Sequence, residues 1–427
     1  MGDVTQKAAA GYSREPEDHA REASERVARA SYGKLVAFLA ARTRDVAGAE
    51  DALADAFAAA LAEWPAKGVP RTPEAWLLTV ARRKLFDAAR RRRTSEDGVE
   101  VLQLITEELE GDASIPDERL RLMFACAHPA IDAGVRAPLI LQTILGFDAA
   151  TIASAFLVAP AAMGQRLVRA KSRIRRAGIP FGVPAREELA ERLDAVLQAI
   201  YAAFAEGWSD PAGTHARRRD LSEEGIWLGR LAASLLPEEP EALGLLALML
   251  HAEARRDARR DAEGEFVPLA EQDPARWNAE LIDEAEALLL RASRLGAIGR
   301  YQLEAAVQSA HVARRMTGAT DWAAIVQIYD ALLAMTGSPV VAINRAVALA
   351  AHLGGPQGAR AGLAALDAVE SDARMSEYQP YWAARADLLS RAGERSAAQA
   401  AYRRAIGLEP DGAVRRFLQG RLAACGP

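Results

Sequence analysis

Between residues 161 and 176 the chain carries Arg166, Arg169, Lys171, Arg173, Arg175 and Arg176, and no acidic residue. An ordinary solvated helix mixes Glu with Lys or Arg. A stretch of one sign suits a polyanion such as the phosphate backbone of a nucleic acid. Guanidinium and amide groups can also make paired hydrogen bonds to base edges in the major groove. At 100° per residue, Met163, Leu167, Ala170 and Ile174 form one apolar stripe, and Gln165, Arg169, Ser172 and Arg176 point furthest from it. Arg166 and Arg173 flank those four. These six (Gln165, Arg166, Arg169, Ser172, Arg173, Arg176) are the candidate contacts to duplex DNA.

A second cationic surface lies in residues 73–93, PEAWLLTVARRKLFDAARRRR. Leu77, Val80, Ala81, Leu85 and Ala88 make its apolar stripe, with Lys84 at the edge. The other side gathers Trp76, Arg82, Arg83, Phe86 and Arg90. Aromatic faces stack on unpaired bases while cations follow phosphates, so this side suits single-stranded DNA. Read alone, the helix is more readily a solvated one with a basic end. The preceding helix, about 48–63, has Leu53, Phe57 and Leu61 at four-residue spacing, with Glu50, Asp51 and Asp55 on its other side.

The elements that must hold these groups are legible as helices. Asp148 is a good N-cap for a short helix over 149–157 burying Ile152 and Phe156, and Phe147 can staple onto Ile152. A tight turn at Val158-Ala159 follows, and Pro160 opens the next helix. Two helices, a short turn and a basic second helix are the parts of a helix-turn-helix. Thr72 and Pro73 start the helix over 73–93 in the same manner. Gly164 inside the second helix costs about 1 kcal/mol relative to Ala.

Half of the 427 residues are hydrophobic but only 6% are aromatic. Much of the apolar content is Ala, which favours closely packed helices. The net charge of −5 hides a split. Residues 1–184 hold 26 basic against 24 acidic residues, and residues 185–427 hold 27 against 34. Cys126 and Cys425 lie far apart, which fits a reducing cytoplasm. The first 30 residues are polar, unlike a secretion signal, and the apolar run Leu243–Leu250 is too short to span a bilayer. No phosphate-binding glycine loop, HExxH or CxxC is present, so no catalytic residue, metal site or cofactor is expected. His128, before Pro129, reads as structural, and Cys126 as an apolar filler.

In order along the chain, YGKLVAFLA, AEDALADAFAAALAEW and PEAWLLTVARRKLFDAARRRR resemble region 2 of the extracytoplasmic-function class of bacterial sigma factors. ATIASAFLVAPAAMGQRLVRAKSRIR resembles region 4. The resemblance covers about residues 25–178. It implies that Glu50, Asp51, Asp55 and Phe57 bind the clamp of the β′ subunit of core RNA polymerase. It also implies that Trp76, Arg82, Arg83, Phe86 and Arg90 hold the melted −10 element, and that the helix over 161–176 reads the −35 element of promoter DNA as duplex.

The remainder resembles the subgroup of these sigma factors with a tetratricopeptide-like extension. Residues 338–369 and 380–411 each read as a helical hairpin, the latter with Gly393 at its turn and small residues Ala386, Ala398 and Ala405 near Tyr402. Stacked hairpins leave a concave surface for a protein or peptide partner. The expected fold is all-α: a disordered tail (1–24), a region 2 domain (25–93), an acidic linker (94–117), a region 4 helix-turn-helix domain (118–184) and a helical-repeat extension (185–427). The expected function is a cytoplasmic sigma factor, not itself an enzyme. The alternative is a helix-turn-helix regulator that binds duplex DNA without polymerase.

Overall fold

The computed structural model describes residues 14–91, 117–156, 158–208, 216–370 and 372–426. The fold is all-α. No strand occurs among the described residues, and Arg260 and Phe266 form an isolated antiparallel bridge. The chain divides into two units, Met1–Ala203 and Phe204–Pro427.

The first unit opens with α1 (Arg14–Thr43), α2 (Val46–Lys67) and α3 (Pro73–Arg91). Ala20 and Ala23 are buried in α1, which begins at Arg14, within the expected tail; residues 1–13 lie outside the described residues. From Leu35 to Ala40 every residue of α1 is buried. A helix that is apolar all round is surrounded on all sides. Its neighbours are α2, α3, α4 (Arg119–Cys126) and α5 (Ala133–Leu145). Asp45 caps α2 by accepting the Gly48 N–H at 3.0 Å. The expected linker falls mostly on residues outside the described ones.

The helix-turn-helix is α6 (Ala149–Ala155) and α7 (Pro160–Arg176). Asp148 caps α6, its Oδ1 accepting the Thr151 N–H at 2.7 Å. Pro160 opens α7, where its missing N–H costs nothing. Ile152 is buried as expected, but Phe156 lies past the end of α6 and is half-buried. The unit ends within α8 (Arg186–Trp208), whose Glu191 pairs with the buried Arg136 at 3.2 Å.

Within the first unit, helices of the stretches 25–93 and 118–184 meet: α1 lies against α4 and α5, and α2 meets α7.

The second unit continues with α9 (Ala216–Leu235). The central helix is α10 (Pro240–Glu253), buried from Ala242 to His251. Short 3-10 turns lead to α11 (Ala279–Arg294) and α12 (Arg300–Val312), both packed on α10. After the single turn α13 (Arg314–Thr317), consecutive helices form antiparallel neighbours: α14 (Trp322–Thr336), α15 (Pro339–Leu353), α16 (Gly355–Asp367), α17 (Gln379–Ala392), α18 (Arg395–Leu408) and α19 (Gly412–Ala424). The hairpins expected at 338–369 and 380–411 are α15–α16 and α17–α18. Gly393 takes the left-handed conformation (φ 88°) that ends α17, and Ala386, Ala398, Tyr402 and Ala405 are buried between helices. Among the described residues no helix is long and apolar enough to cross a membrane.

Candidate nucleic-acid interface

Helix α7 buries Met163, Leu167, Ala170 and Ile174, the stripe that the 3.6-residue period requires. Gln165, Arg166, Arg169, Arg173 and Arg176 are exposed, and Ser172 is half-buried. Arg166, Arg169, Arg173 and Arg176 line one groove of about 470 Å³, closed on its other side by Ala130, Ile131, Asp132 and Val135. Among the described residues none of the four has a carboxylate partner; Arg169 and Arg176 donate only to the carbonyls of Gln165 (3.3 Å) and Ser172 (3.4 Å). Four guanidinium groups at one opening can grip phosphates or read guanine edges.

The other two cations of the run behave differently. The Lys171 ammonium donates to Glu50 Oε2, with both side chains largely buried, and Arg175 Nη1 lies 3.2 Å from Asp45 Oδ2. The candidate contacts named from the helical period did not include these two, and the fold shows where they go: Lys171 to Glu50 of α2 and Arg175 to Asp45 at its start.

Gly164 sits half-buried in α7, where an added Cβ would meet only the Ala149 methyl, at 4.0 Å. Gly164→Ala is therefore expected to stabilise the helix-turn-helix by up to about 1 kcal/mol with unchanged DNA affinity. Thermal melts and binding to labelled duplex check this; a drop in affinity would place DNA backbone against that position.

On α3, Leu77, Ala81 and Leu85 are buried as expected, together with Leu78, while Val80 and Ala88 are half-buried. Arg83, Phe86 and Arg90 are exposed. Trp76 is half-buried and meets the buried Trp64 edge-on, ring centroids 5.5 Å apart. Arg82 is half-buried over the Phe38 ring at 5.2 Å. Lys84, left at the edge of the stripe, reaches Asp55 at 3.4 Å. The five candidates of this face span an arc of about 120°. Phe86 and Arg83 are exposed, whereas Trp76 and Arg82 already rest on other rings.

On α2 the four-residue spacing of Leu53, Phe57 and Leu61 does not mark the buried side. Leu53 is buried, but Phe57 is half-buried and Leu61 is 48% exposed. The buried stripe is Ala49, Ala52, Leu53, Ala56, Ala60 and Trp64. Small alanines let α1 and α3 approach closely, so the helix turns its alanines inward. Asp51 and Asp55 are exposed, and Glu50 is the inward-turned acid that holds Lys171. Burial raises the Glu50 carboxyl above its ordinary value, and Lys171 partly offsets this.

Nearby, the fully buried Cys126 thiol is pushed up to about 12 by burial and lies 3.7 Å from the Thr143 hydroxyl. The His128 Nδ1 accepts the Ala130 N–H at 3.1 Å, a local turn contact. Among the described residues no cluster of His, Cys, Asp and Glu could hold a metal ion.

Residues 27–95 match the family Sigma-70 region 2, which spans α1 to α3. Residues 192–293 match a family of unknown function, DUF6596. No solved structure matches the chain. An uncharacterized protein of Rhizobium meliloti (strain 1021) is 39% identical over 383 residues, covering 88% of this chain and 89% of that protein. The α1–α3 bundle thus matches Sigma-70 region 2 in sequence, and the likeness to the Rhizobium protein extends over most of the chain; on that likeness, the chain belongs to the same family as the Rhizobium meliloti protein.

Proposed function

We propose that this protein is a sigma factor of the extracytoplasmic-function class, which binds core RNA polymerase and directs promoter recognition. Helix α2 with Asp51, Asp55, Phe57 and, once released, Glu50 meets the clamp of the β′ subunit. Trp76, Arg82, Arg83, Phe86 and Arg90 hold the melted −10 element. Gln165, Arg166, Arg169, Ser172, Arg173 and Arg176 read the upstream element as duplex. The helical hairpins α15–α16 and α17–α18 form a tetratricopeptide-like array that receives a protein or peptide partner. Nucleotidyl transfer belongs to the core enzyme, so the chain works where the polymerase is, in the cytoplasm.

The observation that carries this reading is the pairing of two surfaces in one unit. One is the four-arginine groove of α7, and the other is an exposed aromatic-cationic face on a bundle matching Sigma-70 region 2. A regulator that binds only duplex has no use for the second. Transcription in vitro with purified core polymerase on a library of genomic fragments tests it. Specific initiation that depends on the chain is expected. Duplex binding without polymerase capture would favour the regulator, a reading to which the engagement of Glu50 by Lys171 gives some support.

A further inference from the structure

We propose that the second unit carries a phosphate-binding site, formed by Arg255, Arg259, His311 and Arg314, which takes free phosphate or the phosphate group of a small molecule. The site lies outside the surfaces already described, and it holds whether or not the sigma-factor reading does.

The frame is built by α10 and α12. Arg255 follows the buried helix α10 and is itself 8% exposed. Its Nε donates to the His251 carbonyl at 3.3 Å, and its Nη2 donates to Gln308 Oε1, which ties the end of α10 to the last turn of α12. His311 lies one turn beyond Gln308, and Arg314 opens α13 three residues later. Arg314 lies over the Trp277 ring at 4.8 Å and donates to the carbonyls of Leu269 and Gln272, each at 2.8 Å. Arg259 lies over the Trp208 ring at 3.6 Å and donates to the Trp208 carbonyl at 2.8 Å. Two of the three guanidinium groups are thus fixed on indole faces before any ligand arrives, so little freedom is left to lose on binding.

The charge of this group is uncompensated. Among the described residues no carboxylate forms an ion pair with Arg255, Arg259 or Arg314, while Glu253 is held by Arg256 and Asp411 by Arg260. Burial, helped by the neighbouring cations, pushes Arg255 and Arg259 down to about 10 and His311 down to about 4. A buried cation is ordinarily paired, because the interior returns little of what water gave it. The donors are not used up either. Arg314 Nε, Trp277 Nε1 and Trp208 Nε1 are buried and, among the described residues, have no acceptor. Buried donors nearly always have one. Unpaired cations and idle donors on the same residues call for an anion rich in acceptors.

Phosphate answers both. It brings about −1.5 to −2 of charge at pH 7 and three strong acceptor oxygens. Guanidinium groups meet such oxygens with pairs of N–H donors in a fixed fork. A monocarboxylate would leave most of the positive charge uncovered. Arg259, His311 and Arg314 are half-buried and so open to solvent, whereas Arg255 is closed off. A compact group suits so enclosed a set of donors better than an extended chain does.

The test is thermal melting of the full chain with inorganic phosphate, glycerol phosphate, acetate or chloride at matched ionic strength. Phosphate at a hundredfold excess over its dissociation constant is expected to raise the melting temperature by about 5 °C or more. Acetate and chloride are expected to leave it unchanged. A larger shift with the glycerol ester identifies a phosphorylated small molecule as the preferred source, and a smaller one identifies free phosphate. Arg255→Met keeps the length of the side chain without its charge and is expected to abolish the phosphate shift. Arg259→Gln is expected to weaken phosphate binding at least tenfold, and it decides the matter should Arg255→Met fail to fold. Equal shifts with phosphate, acetate and chloride overturn the site, and so does a phosphate shift undiminished in the variants. A phosphoserine peptide that shifts the melt where phosphate and the ester do not overturns it in favour of a protein partner. No readout involves polymerase, so failure here leaves the sigma-factor reading intact.

Discussion

Replacing Arg169 and Arg173 together by alanine is expected to weaken binding to upstream-element duplex by two to four orders of magnitude while leaving the melting temperature unchanged. Each side chain is exposed and has no carboxylate partner among the described residues, so its removal leaves no buried charge behind. A guanidinium that makes paired hydrogen bonds to guanine contributes about 1 to 3 kcal/mol of discrimination, and every 1.4 kcal/mol is a factor of ten. Anisotropy titrations on matched and scrambled duplexes at several salt concentrations separate two roles. Base readers lose discrimination, whereas phosphate contacts lose affinity equally for all sequences and lower the salt slope by about 1 each. Arg175→Ala serves as the comparison: its partner is Asp45, so a smaller change in DNA affinity is expected. Equal losses for all three would show that only the total charge of α7 matters.

Acidification is expected to destabilise the second unit steeply between pH 6.5 and about 4. Burial pushes His251 down to about 4, with a smaller push from Arg255. Burial likewise pushes His311 down to about 4, with help from Arg255 and Arg314. Glu286 lies 3.4 Å from His251 Nε2 but faces solvent, and its attraction does not offset the burial. Among the described residues no carboxylate pairs with Arg255 or Arg314, whose guanidinium groups donate to Gln308 and to backbone carbonyls. An unfolded histidine takes its proton near pH 6.5. Below that pH the unfolded chain binds more protons than the folded one. The contribution is therefore whole above pH 6.5, falls as pH drops, and levels off below about 4. A shift of this size corresponds to about 3 kcal/mol for the fully buried His251, and less for the half-buried His311. Melting curves at pH 7.5, 5.5 and 4.5 should show the loss. His251→Leu should flatten it, since among the described residues neither imidazole nitrogen of His251 has a hydrogen-bond partner to lose. An unchanged pH profile in that variant would assign the acid sensitivity to other groups.

Much of the architecture was readable from local chemistry. The stripe Met163, Leu167, Ala170 and Ile174 is set by the helical period, and Asp148 and Pro160 mark helix starts through backbone groups only a few residues away. Gly393 and the small residues around Tyr402 likewise define their hairpin from within it. Such features depend on short-range geometry, which a linear string carries in full. Where alanine dominates, that signal weakens. In α2 several faces are apolar enough to be buried, so spacing favoured Leu53, Phe57 and Leu61 although the fold buries Ala56, Ala60 and Trp64.

What tertiary structure alone decided is what the remaining charges hold. The helical period left Lys171 and Arg175 out of the candidate DNA contacts, but could not name their partners Glu50 and Asp45, which lie 121 and 130 residues earlier. Gly33 is an unremarked glycine until α5 arrives with the Ile144 carbonyl. A helical period says in which direction a side chain points. What stands in that direction depends on which distant helix packs there, and that is settled by the burial of the whole core.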